Sequence, residues 1–413
     1  MASPALPTAL GFRDILKVKG FRKLWFAQLV SVFGDLLALF AAISLIVFHL
    51  HGHASQVTTL TVAYLLPLVV IGPMAGVLVD RWNPKKVMIV SDVIRALLVL
   101  LLVFASGVRQ MYMIFAAVTV FSSFFAPGQQ VTLRILMPAQ GLMAANALMS
   151  QTFYVLRIAS PALAGALVAG SSEKICFYLD ALSFVCSAAV LSTITIARVS
   201  SEKNAKTLKN LGNDFLLGNK FIFSHRGLAF VFAAMAIVIF VQSSFGPLVS
   251  VYIRDSLASG SLLFGIISAM IGVGLIVGTQ LVNHLAGNYP KPHVVLSGLL
   301  ILSAGAALLG LFQNYLTAIT GTFLLGFSVS FVLVPAQTLS QQTTPPEMMG
   351  RVSSTLLSLV SVAQVIGLLL SGYLAQIIGV RPLFLSGSVA MVPFAVAGYL
   401  WIKRHSIDFT SAP

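Results

Sequence analysis

The sequence has 413 residues, of which 58% are hydrophobic and 9% are charged, and its mean hydropathy is +0.97. A chain this apolar cannot cover a soluble surface with polar groups, which excludes a soluble globular protein. The formal net charge of +14 raises the question of nucleic-acid binding, and the positions of the basic residues along the chain answer it.

Twelve long apolar runs follow one another along the chain. A helix needs about 20 predominantly apolar residues to cross a bilayer, whereas a membrane β-strand is about half as long and alternates apolar with polar side chains. The runs therefore predict an all-α membrane protein with twelve transmembrane helices. The predicted spans are residues 21–48, 57–79, 87–106, 111–131, 145–170, 174–197, 228–253, 261–283, 293–312, 315–338, 351–378 and 381–402.

Most of the 25 lysine and arginine residues fall in alternate loops between these runs. If the N-terminus is cytoplasmic, the predicted outer loops carry only Arg109, Lys174, Arg254 and Arg381. This asymmetry follows the positive-inside rule for an even number of spans, so both termini are expected in the cytoplasm. Membrane topology thus accounts for the positive charge, and nucleic acid is not an expected partner.

The longest hydrophilic stretch, residues 198–226, separates the first six predicted spans from the last six. It divides the chain into an N-terminal half, residues 1–197, and a C-terminal half, residues 227–413. Between Lys203 and Ser224, apolar residues recur among basic ones. This pattern predicts an amphipathic helix on the cytoplasmic leaflet, and a plain linker is the alternative.

Short motifs recur between the two halves. FFAPGQQ around Pro127 corresponds to VLVPAQT around Pro335, and Gly165 corresponds to Gly372, at an offset of about 207 residues. Such repeats are typical of secondary transporters, whose halves move around a central site. The expected fold is therefore two pseudo-symmetric six-helix halves. The sequence has no Gly-rich loop ending in Lys and Ser or Thr, so ATP is not the expected energy source and no cofactor is predicted.

Charged side chains inside the apolar runs are rare, because one at mid-bilayer costs at least about 2.5 kcal/mol. Asp35 lies near the middle of the first run, and Gln28, Ser31 and Asp35 share one helix face. One repeat later, Gln242 and Ser243 lie at the corresponding depth of the seventh run. This polar stripe would face the bundle interior, at the central site expected of a secondary transporter. There the buried carboxyl group of Asp35 would load and release a proton or sense a cation.

Arg157 is a further charge inside a predicted span and precedes SPALAG, residues 160–165. It would bind an anionic group of a solute or pair permanently with Asp35, which would then be a packing acid. Alternatively, the segment is a structural kink, since Pro161 lacks a backbone donor and small residues allow close helix packing. The residue one repeat later is the neutral Gln364, so the fold does not require the arginine.

The loop GVLVDRWNPKK, from Gly76 to Lys86, places one acid and three bases between two apolar runs. Extended to GVLVDRWNPKKVMIV, it resembles the Gly-x-Leu-x-Asp-Arg-x-Gly-Arg-Lys signature of the major facilitator superfamily. The chain departs from that signature at Asn83 and Pro84, which replace a glycine and an arginine. FRKLWFAQLVSVFGD, SDVIRALLVLLL, LMPAQGLMAANAL and QQTTPPEMMGRVSS further resemble the branch that contains macrolide exporters and the enterobactin exporter.

The signature implies a cytoplasmic gate of ion pairs and helix-end contacts that break and re-form during transport. Gly76 would allow a close helix approach, and Asp92 and Arg95 can pair because they are three residues apart. The alternative is that the loop bases only fix topology, which does not require Asp80. The residues implied for the gate network are Gly76, Asp80, Arg81, Lys85, Lys86, Asp92 and Arg95.

The resemblance implies a secondary transporter that exports amphipathic organic compounds, such as drugs, macrolides or siderophores, in exchange for protons by alternating access. It would act as a monomer in the bacterial cytoplasmic membrane, with the solute, protons and the lipid bilayer as its partners. The first alternative is a lipid or lysophospholipid translocator.

A metal-ion exporter is a further alternative, which would need Asp35 or the histidines of HLHGH, residues 49–53, as ligands. No acid or cysteine completes a site near those histidines, so a solvated loop is the preferred interpretation and no metal site is predicted. No nucleophile and base set indicates an enzyme. Asp180, near the start of the sixth run, is expected to be a packing residue.

Overall fold

A computed structural model describes residues 11–79, 82–195, 217, 219–285 and 290–405 of the chain. The described residues form helices joined by short turns and contain no β-strand. The helices are α1 (Phe12–Lys17), α2 (Lys19–Ser44), α3 (Ala54–Val79), α4 (Pro84–Leu102), α5 (Val108–Leu136), α6 (Ala139–Gly170), α7 (Glu173–Ser192), α8 (Arg226–Phe245), α9 (Leu248–Leu257), α10 (Ser261–Leu285), α11 (Lys291–Leu311), α12 (Tyr315–Thr343), α13 (Pro346–Ile378) and α14 (Val380–His405).

Eleven helices in the described part of the chain are long and apolar enough to cross a membrane. They correspond to eleven of the twelve predicted runs and confirm an all-α membrane protein. The other run, residues 87–106, coincides with α4, in which every stretch of 18 residues includes four charged side chains. α4 is therefore helical as predicted but more charged than a simple membrane span.

The seventh predicted run, residues 228–253, forms two helices rather than one. α8 ends at Phe245 and α9 begins at Leu248. Pro247 lies between them and has no backbone N–H to continue the α-helical hydrogen bonds. The predicted amphipathic helix between Lys203 and Ser224 lies largely outside the described residues, of which 219–224 are helical.

The chain separates into two compact units. The first comprises the described parts of Met1–Ala42 and Ala63–Ala205, and in it α4 packs against both α5 and α7. Phe21 and Leu24 of α2 and Met88 of α4 are fully buried in one apolar core. This core fixes α2 beside α4, so that polar side chains elsewhere on the two helices can meet.

The second unit comprises the described parts of Ile43–Val62 and Lys206–Pro413. In it, α12 packs against α10 and α11, and α11 also packs against α14. α10 and α12 approach each other closely at Gly326, where a Cβ atom would overlap the carbonyl oxygen of Ile271. Only a glycine permits this separation of the two backbones.

α2 continues into a π-turn at Leu45–His49, which belongs to the second unit. Arg254 of α9, in the same unit, donates hydrogen bonds from Nη1 to the carbonyl oxygens of Val47 (3.1 Å) and Gly52 (2.7 Å). A π-turn and the bend that follows it leave carbonyl groups without helical partners. The guanidinium of Arg254 supplies partners for two of them.

Candidate functional site

Arg95 is the centre of a buried ionic cluster in the first unit. α4 places it one helical turn from Asp92, whose Oδ1 accepts a hydrogen bond from Arg95 Nη2. Arg95 Nη1 lies 3.5 Å from Asp35 Oδ2 on α2 and 3.3 Å from Ser122 Oγ on α5. A single guanidinium therefore links three helices.

Two aromatic rings shield the guanidinium of Arg95. Its Cζ lies 4.8 Å from the ring centroid of Phe125 and 4.2 Å from that of Phe184. A cation over an aromatic face is attracted by the quadrupole of the ring, so the two rings stabilise the buried charge of Arg95. The side chains of Arg95 and Asp92 are 3% and 0% exposed, whereas that of Asp35 is 17% exposed. Asp35 is therefore the most accessible of these three charged groups.

Asp180 of α7 lies beside the turn of α2 that carries Asp35. A Cβ atom at Gly34 would overlap both Asp180 Oδ1 and Ser183 Oγ, so α2 and α7 approach each other closely here. Ser183 Oγ lies 3.3 Å from Asp180 Oδ1, and Asp180 is 1% exposed. Because Gly34 directly precedes Asp35, the carboxyl group of Asp180 lies against the turn of α2 that carries Asp35. The structure thus brings a third carboxyl group to the site.

Asp35, Asp92, Arg95 and Asp180 form what we call the Asp–Arg cluster. It contains three carboxyl groups and one guanidinium, so its charge is negative when all four groups are ionised. An uncompensated charge is costly in an apolar interior. Asp92 Oδ2 and Arg95 Nε are buried and have no hydrogen-bond partner among the described residues. A proton is the ligand that neutralises a buried carboxylate with the least rearrangement.

The other polar residues predicted for a central cavity lie on α2 and α8. Ser31 is buried on α2, and Gln28 Oε1 is a buried acceptor without a partner among the described side chains. Gln242 and Ser243 lie on α8 in the second unit, where Gln242 Oε1 is likewise buried and unpartnered within the described ranges. Each unit thus offers a glutamine carbonyl oxygen that is free to accept a hydrogen bond.

Arg157 is not the partner of Asp35, so the interpretation of these two residues as a permanent ion pair is wrong. Asp35 pairs with Arg95 on α4 instead. Arg157 is exposed on α6, and within the described part of the chain it makes no ion pair. α6 continues past Pro161 to Gly170, so the proline does not end the helix.

The loop predicted to form a gate is described only in part, since Asp80 and Arg81 lie outside the described residues. Lys85 Nζ donates hydrogen bonds to the carbonyl oxygens of Ser192 (2.7 Å) and Ile194 (2.6 Å). These carbonyls lie at the C-terminal end of α7, where helix carbonyls lack helical partners and the helix dipole favours a cation. Lys85 therefore ties the start of α4 to the end of α7.

The turn before α4 is a helix N-cap. Asn83 Oδ1 accepts a hydrogen bond from the backbone N–H of Lys86 at 3.1 Å, and Pro84 occupies the first turn of α4. The two residues that depart from the family signature are thus typical helix-start residues. The close approach expected at Gly76 is absent, because a Cβ atom there would meet no described heavy atom within 4 Å.

Asp92 and Arg95 pair as their spacing predicts, but their further partner is not part of the loop. Asp92 lies eight residues after Pro84, which is about 12 Å along the helix at 1.5 Å per residue. The pair therefore lies well inside α4, and Arg95 extends to Asp35. The structure places both residues in the Asp–Arg cluster and not at the start of α4 with Lys85.

A pattern in the sequence indicates that Asp180 belongs to the site, although its position near the start of the sixth run predicts a packing residue. Asp180, Ser183 and Ser187 have the same i, i+3, i+7 spacing as the polar stripe that ends at Asp35. All three are buried on one face of α7. Such a stripe, rather than the distance from the end of the span, indicates which side of the helix faces other helices.

The Asp–Arg cluster has no ionic counterpart in the second half of the sequence. At an offset of about 207 residues, the positions of Asp92 and Arg95 are occupied by Leu299 and Leu302, and that of Asp180 by Gly387. Leu299 and Leu302 are buried in α11. The charged cluster is therefore confined to the first unit and is not a requirement of the repeated fold.

A cavity of about 550 Å³ lies between α8, α13 and α14 of the second unit. Its wall is almost entirely apolar and includes Phe240, Phe245 and Gly387. The hydroxyl of Ser244, which also lines it, already donates to the carbonyl oxygen of Gly367 at 3.0 Å. The cavity therefore suits an apolar group better than a polar one.

The histidines of HLHGH lie in and after the π-turn between α2 and α3. His49, His51 and His53 are exposed, and His51 has a positive φ of 48°. Within the described ranges, no three His, Cys, Asp or Glu side chains are arranged to hold a metal ion.

Known proteins resemble this chain over most of its length. The family model described as Major Facilitator Superfamily matches residues 24–358 and, in a second match, 231–411. An uncharacterized MFS-type transporter, YfiS of Bacillus subtilis, is 29% identical over 89% of this chain and 89% of its own. Macrolide efflux protein A of Streptococcus pyogenes is 25% identical over 91% of this chain and 94% of its own.

A solved structure shares the fold at low sequence identity. The crystal structure of the nucleoside transporter NupG superimposes with a TM-score of 0.76 at 12% identity. The likeness covers 94% of this chain and 99% of that one. At this identity it concerns the arrangement of the helices alone.

Proposed function

Because the chain belongs to the major facilitator superfamily, we propose that it exports amphipathic organic compounds in exchange for protons, with Asp35 as the proton-exchanging carboxyl group. Each proton that moves down the membrane potential supplies about 2.3 kcal/mol per 100 mV, which is sufficient for modest concentrative export. The proposed location is the bacterial cytoplasmic membrane, which maintains such a gradient. The proposal includes cytoplasmic termini and a monomeric transporter.

The contact between Arg95 Nη1 and Asp35 Oδ2, at 3.5 Å, carries this proposal. A proton on Asp35 removes the charge that attracts Arg95, which keeps Asp92 and Ser122 as partners. One protonation event therefore weakens the link between α2 and α4 without leaving the guanidinium unpaired. A local charge change that biases two arrangements of helices is how proton-linked conformational switches work.

The solute class rests on two observations. Macrolide efflux protein A is similar to this chain over nearly its whole length, and its name supports export of a large amphipathic compound. The unpartnered oxygens of Gln28 in the first unit and Gln242 in the second unit would each accept a hydrogen bond from a polar group of such a solute.

A cytoplasmic gate belongs to the same proposal. Lys85 holds the C-terminal carbonyls of α7, and release of this contact would free α4 to move. Asp80, Arg81 and Lys86 are assigned to the gate by the family signature.

The experiment that tests the proposal uses inverted membrane vesicles energised by respiration, in which a pH-sensitive dye reports proton release. A macrolide, a cationic dye, a siderophore and a lysophospholipid are added in turn. At least one compound is expected to cause proton release from vesicles that contain the wild type or Asp14→Asn, which changes an exposed residue and serves as the control. Proton release is expected to be absent for Asp35→Asn. Uphill export by Asp35→Asn equal to that of the wild type would remove Asp35 from the mechanism.

A second candidate function, translocation of a lipid or lysophospholipid, is favoured by the apolar cavity of the second unit. Its volume suits an alkyl chain, and Ala390 lines it. Under this alternative, Ala390→Trp would block lysophospholipid uptake into vesicles while Val389→Trp, exposed on the same helix, would not. Transport would also be insensitive to the pH gradient, which distinguishes this function from proton-coupled export.

A further inference from the structure

The Asp–Arg cluster contains more negative charge than its guanidinium balances. Arg95 makes a direct hydrogen-bonded ion pair with Asp92, and both side chains are almost completely buried. This pair is neutral as a unit. Asp35, at 3.5 Å from the same guanidinium, and Asp180 are left without a cation of their own.

Asp180 is the more isolated of these two acids. Within the described part of the chain it makes no ion pair, and its side-chain neighbour is the hydroxyl of Ser183. The overlap that a Cβ atom at Gly34 would have with Asp180 Oδ1 places this carboxyl directly against the backbone of α2. An ionised carboxylate with no cation and 1% exposure is strongly unfavourable, whereas a protonated one is compatible with this site.

The charged and titratable groups around Asp180 give it no further positive charge. They are Asp35 on α2, Tyr64 on α3, Asp92 and Arg95 on α4, and Cys176 on α7 itself. Ser122 is the polar residue that α5 contributes to the cluster. Arg95 is thus the single cation among these groups, and its ion pairs are with Asp35 and Asp92.

We infer that Asp180 is a second proton-exchanging carboxyl group and that the Asp–Arg cluster exchanges two protons in each transport cycle. The inference rests on the proposed function and extends it from one acid to two. With protons on Asp35 and Asp180, the cluster is neutral, because Asp92 remains the counter-ion of Arg95. When both protons leave, α2 carries a negative charge at Asp35, directly after Gly34, and α7 carries one at Asp180, whose Oδ1 lies against Gly34. Like charges on the two helices repel, which opposes the close approach of α2 and α7.

A metal cation in place of the second proton does not fit the arrangement. No three acidic, histidine or cysteine side chains of the described residues are placed to hold a metal ion. A proton needs no such convergence, because it bonds to one carboxylate oxygen. The hydroxyl of Ser183 then serves as a hydrogen-bond partner for the protonated group.

The first test observes the protons on the carboxyl groups and does not require a transported compound. The purified protein in lipid is titrated while infrared difference spectra record the carbonyl stretch of protonated carboxyl groups, over a pH range in which exposed carboxyl groups stay ionised. As the pH is raised, the wild type and Asp14→Asn are expected to lose carbonyl-band intensity equal to two protonated carboxyl groups. Asp35→Asn and Asp180→Asn are each expected to lose the intensity of one group. Intensity in Asp180→Asn equal to that of the wild type would overturn the inference.

Asp180→Glu provides a variant that keeps the proton if Asp180→Asn does not fold. Its band is expected to retain two-group intensity with one component shifted in frequency, because glutamic and aspartic acid carbonyl groups absorb at different positions. An unshifted spectrum would assign the second proton elsewhere and overturn the inference.

The second test measures stoichiometry in proteoliposomes with the membrane potential clamped at zero. A radiolabelled macrolide is followed to its equilibrium distribution at several pH gradients. If two protons are exchanged per cycle, the equilibrium ratio of the macrolide concentrations inside and outside changes about 100-fold per pH unit. If one proton is exchanged, that ratio changes about tenfold per pH unit. In a plot of the logarithm of this concentration ratio against the pH difference, the expected slope is two for the wild type and one for Asp180→Asn.

The two tests separate the inference from the function on which it rests. A slope of one in the wild type, abolished by Asp35→Asn and unchanged by Asp180→Asn, would retain the proposed function and overturn the second proton. Two-group infrared intensity, together with pH-insensitive distribution of the macrolide and no proton release by any of the four compounds, would retain two protonated acids but overturn both proton-coupled export and the two-proton cycle. A slope that depends on sodium rather than on pH would also overturn the inference.

Discussion

Gly34 and Asp180 are in direct contact, since a Cβ atom on Gly34 would overlap Asp180 Oδ1. α2 and α7 therefore meet at the turn that carries Asp35. We expect Gly34→Ala to force the two helices apart and to destabilise the protein by about 1–3 kcal/mol, as overpacking of a tight core does. The measurement is the thermal unfolding midpoint in detergent, together with the proton release described above.

Gly72→Ala is the matched control for this substitution, because Gly72 also lies in a long helix but a Cβ there would meet no described heavy atom within 4 Å. It is expected to leave the midpoint unchanged or to raise it slightly, since alanine favours a helix over glycine by about 1 kcal/mol. Equal effects of the two substitutions would contradict the close contact of Gly34.

Arg95 and Asp92 are predicted to be strongly coupled. Arg95→Leu leaves Asp92 buried without its cation, which should cost about 3–5 kcal/mol. The double variant Asp92→Leu with Arg95→Leu introduces the residues found at Leu299 and Leu302 of the second half, and it should recover much of that loss. A double-mutant cycle on the unfolding midpoints measures the coupling. Additive losses would contradict it.

Lys85→Met should weaken the junction between α4 and α7. The methionine keeps most of the length of the side chain but cannot donate to the carbonyl oxygens of Ser192 and Ile194. A loss of about 1–3 kcal/mol is expected, as for hydrogen bonds that involve a charged group. Lys86→Met is the control, because Lys86 is exposed and contributes its backbone N–H to the cap. Its unfolding midpoint should match that of the wild type.

Arg254→Ala should loosen the π-turn at the C-terminal end of the first long helix. Two carbonyl oxygens, those of Val47 and Gly52, lose their shared donor. We expect faster hydrogen exchange confined to residues 45–53, by about tenfold or more, because local opening becomes easier. Arg109→Ala, at an exposed position elsewhere, should not change exchange in this segment. Uniform acceleration throughout the protein would indicate global destabilisation instead.

The sequence predicts most of the fold because each membrane span is determined by the residues of that span alone. A run of about 20 apolar residues has one stable form in a bilayer, so eleven spans are recognisable from hydropathy alone. α4 is the instructive exception. Its charged residues have hydrogen-bond and ion-pair partners on α2, α5 and α7. Hydropathy depends on the residues of α4 alone and therefore contains no information about these partners.

The sequence predicts three members of the Asp–Arg cluster and one of its ion pairs, but not the pairing of Asp35 with Arg95 or the presence of Asp180. The depth of Asp35 in the first apolar run, and the helix face it shares with Gln28 and Ser31, predict an interior acid, and the spacing of Asp92 and Arg95 predicts their pair. Which cation meets Asp35 depends on how α2 packs against α4, and no local pattern distinguishes Arg95 from Arg157 for that role. Asp180 was missed because its distance from the end of the span outweighed the stripe it shares with Ser183.

The π-turn at Leu45–His49 has a consequence for the phase of the first helix. A π-turn contains one more residue than an α-turn, and each residue of an α-helix advances by about 100°. The carbonyl group of Val47, inside the turn, therefore points in a different direction about the helix axis than it would in a continuous α-helix. Deletion of a single residue from the turn would restore the α-helical direction, so this carbonyl oxygen would no longer meet Nη1 of Arg254.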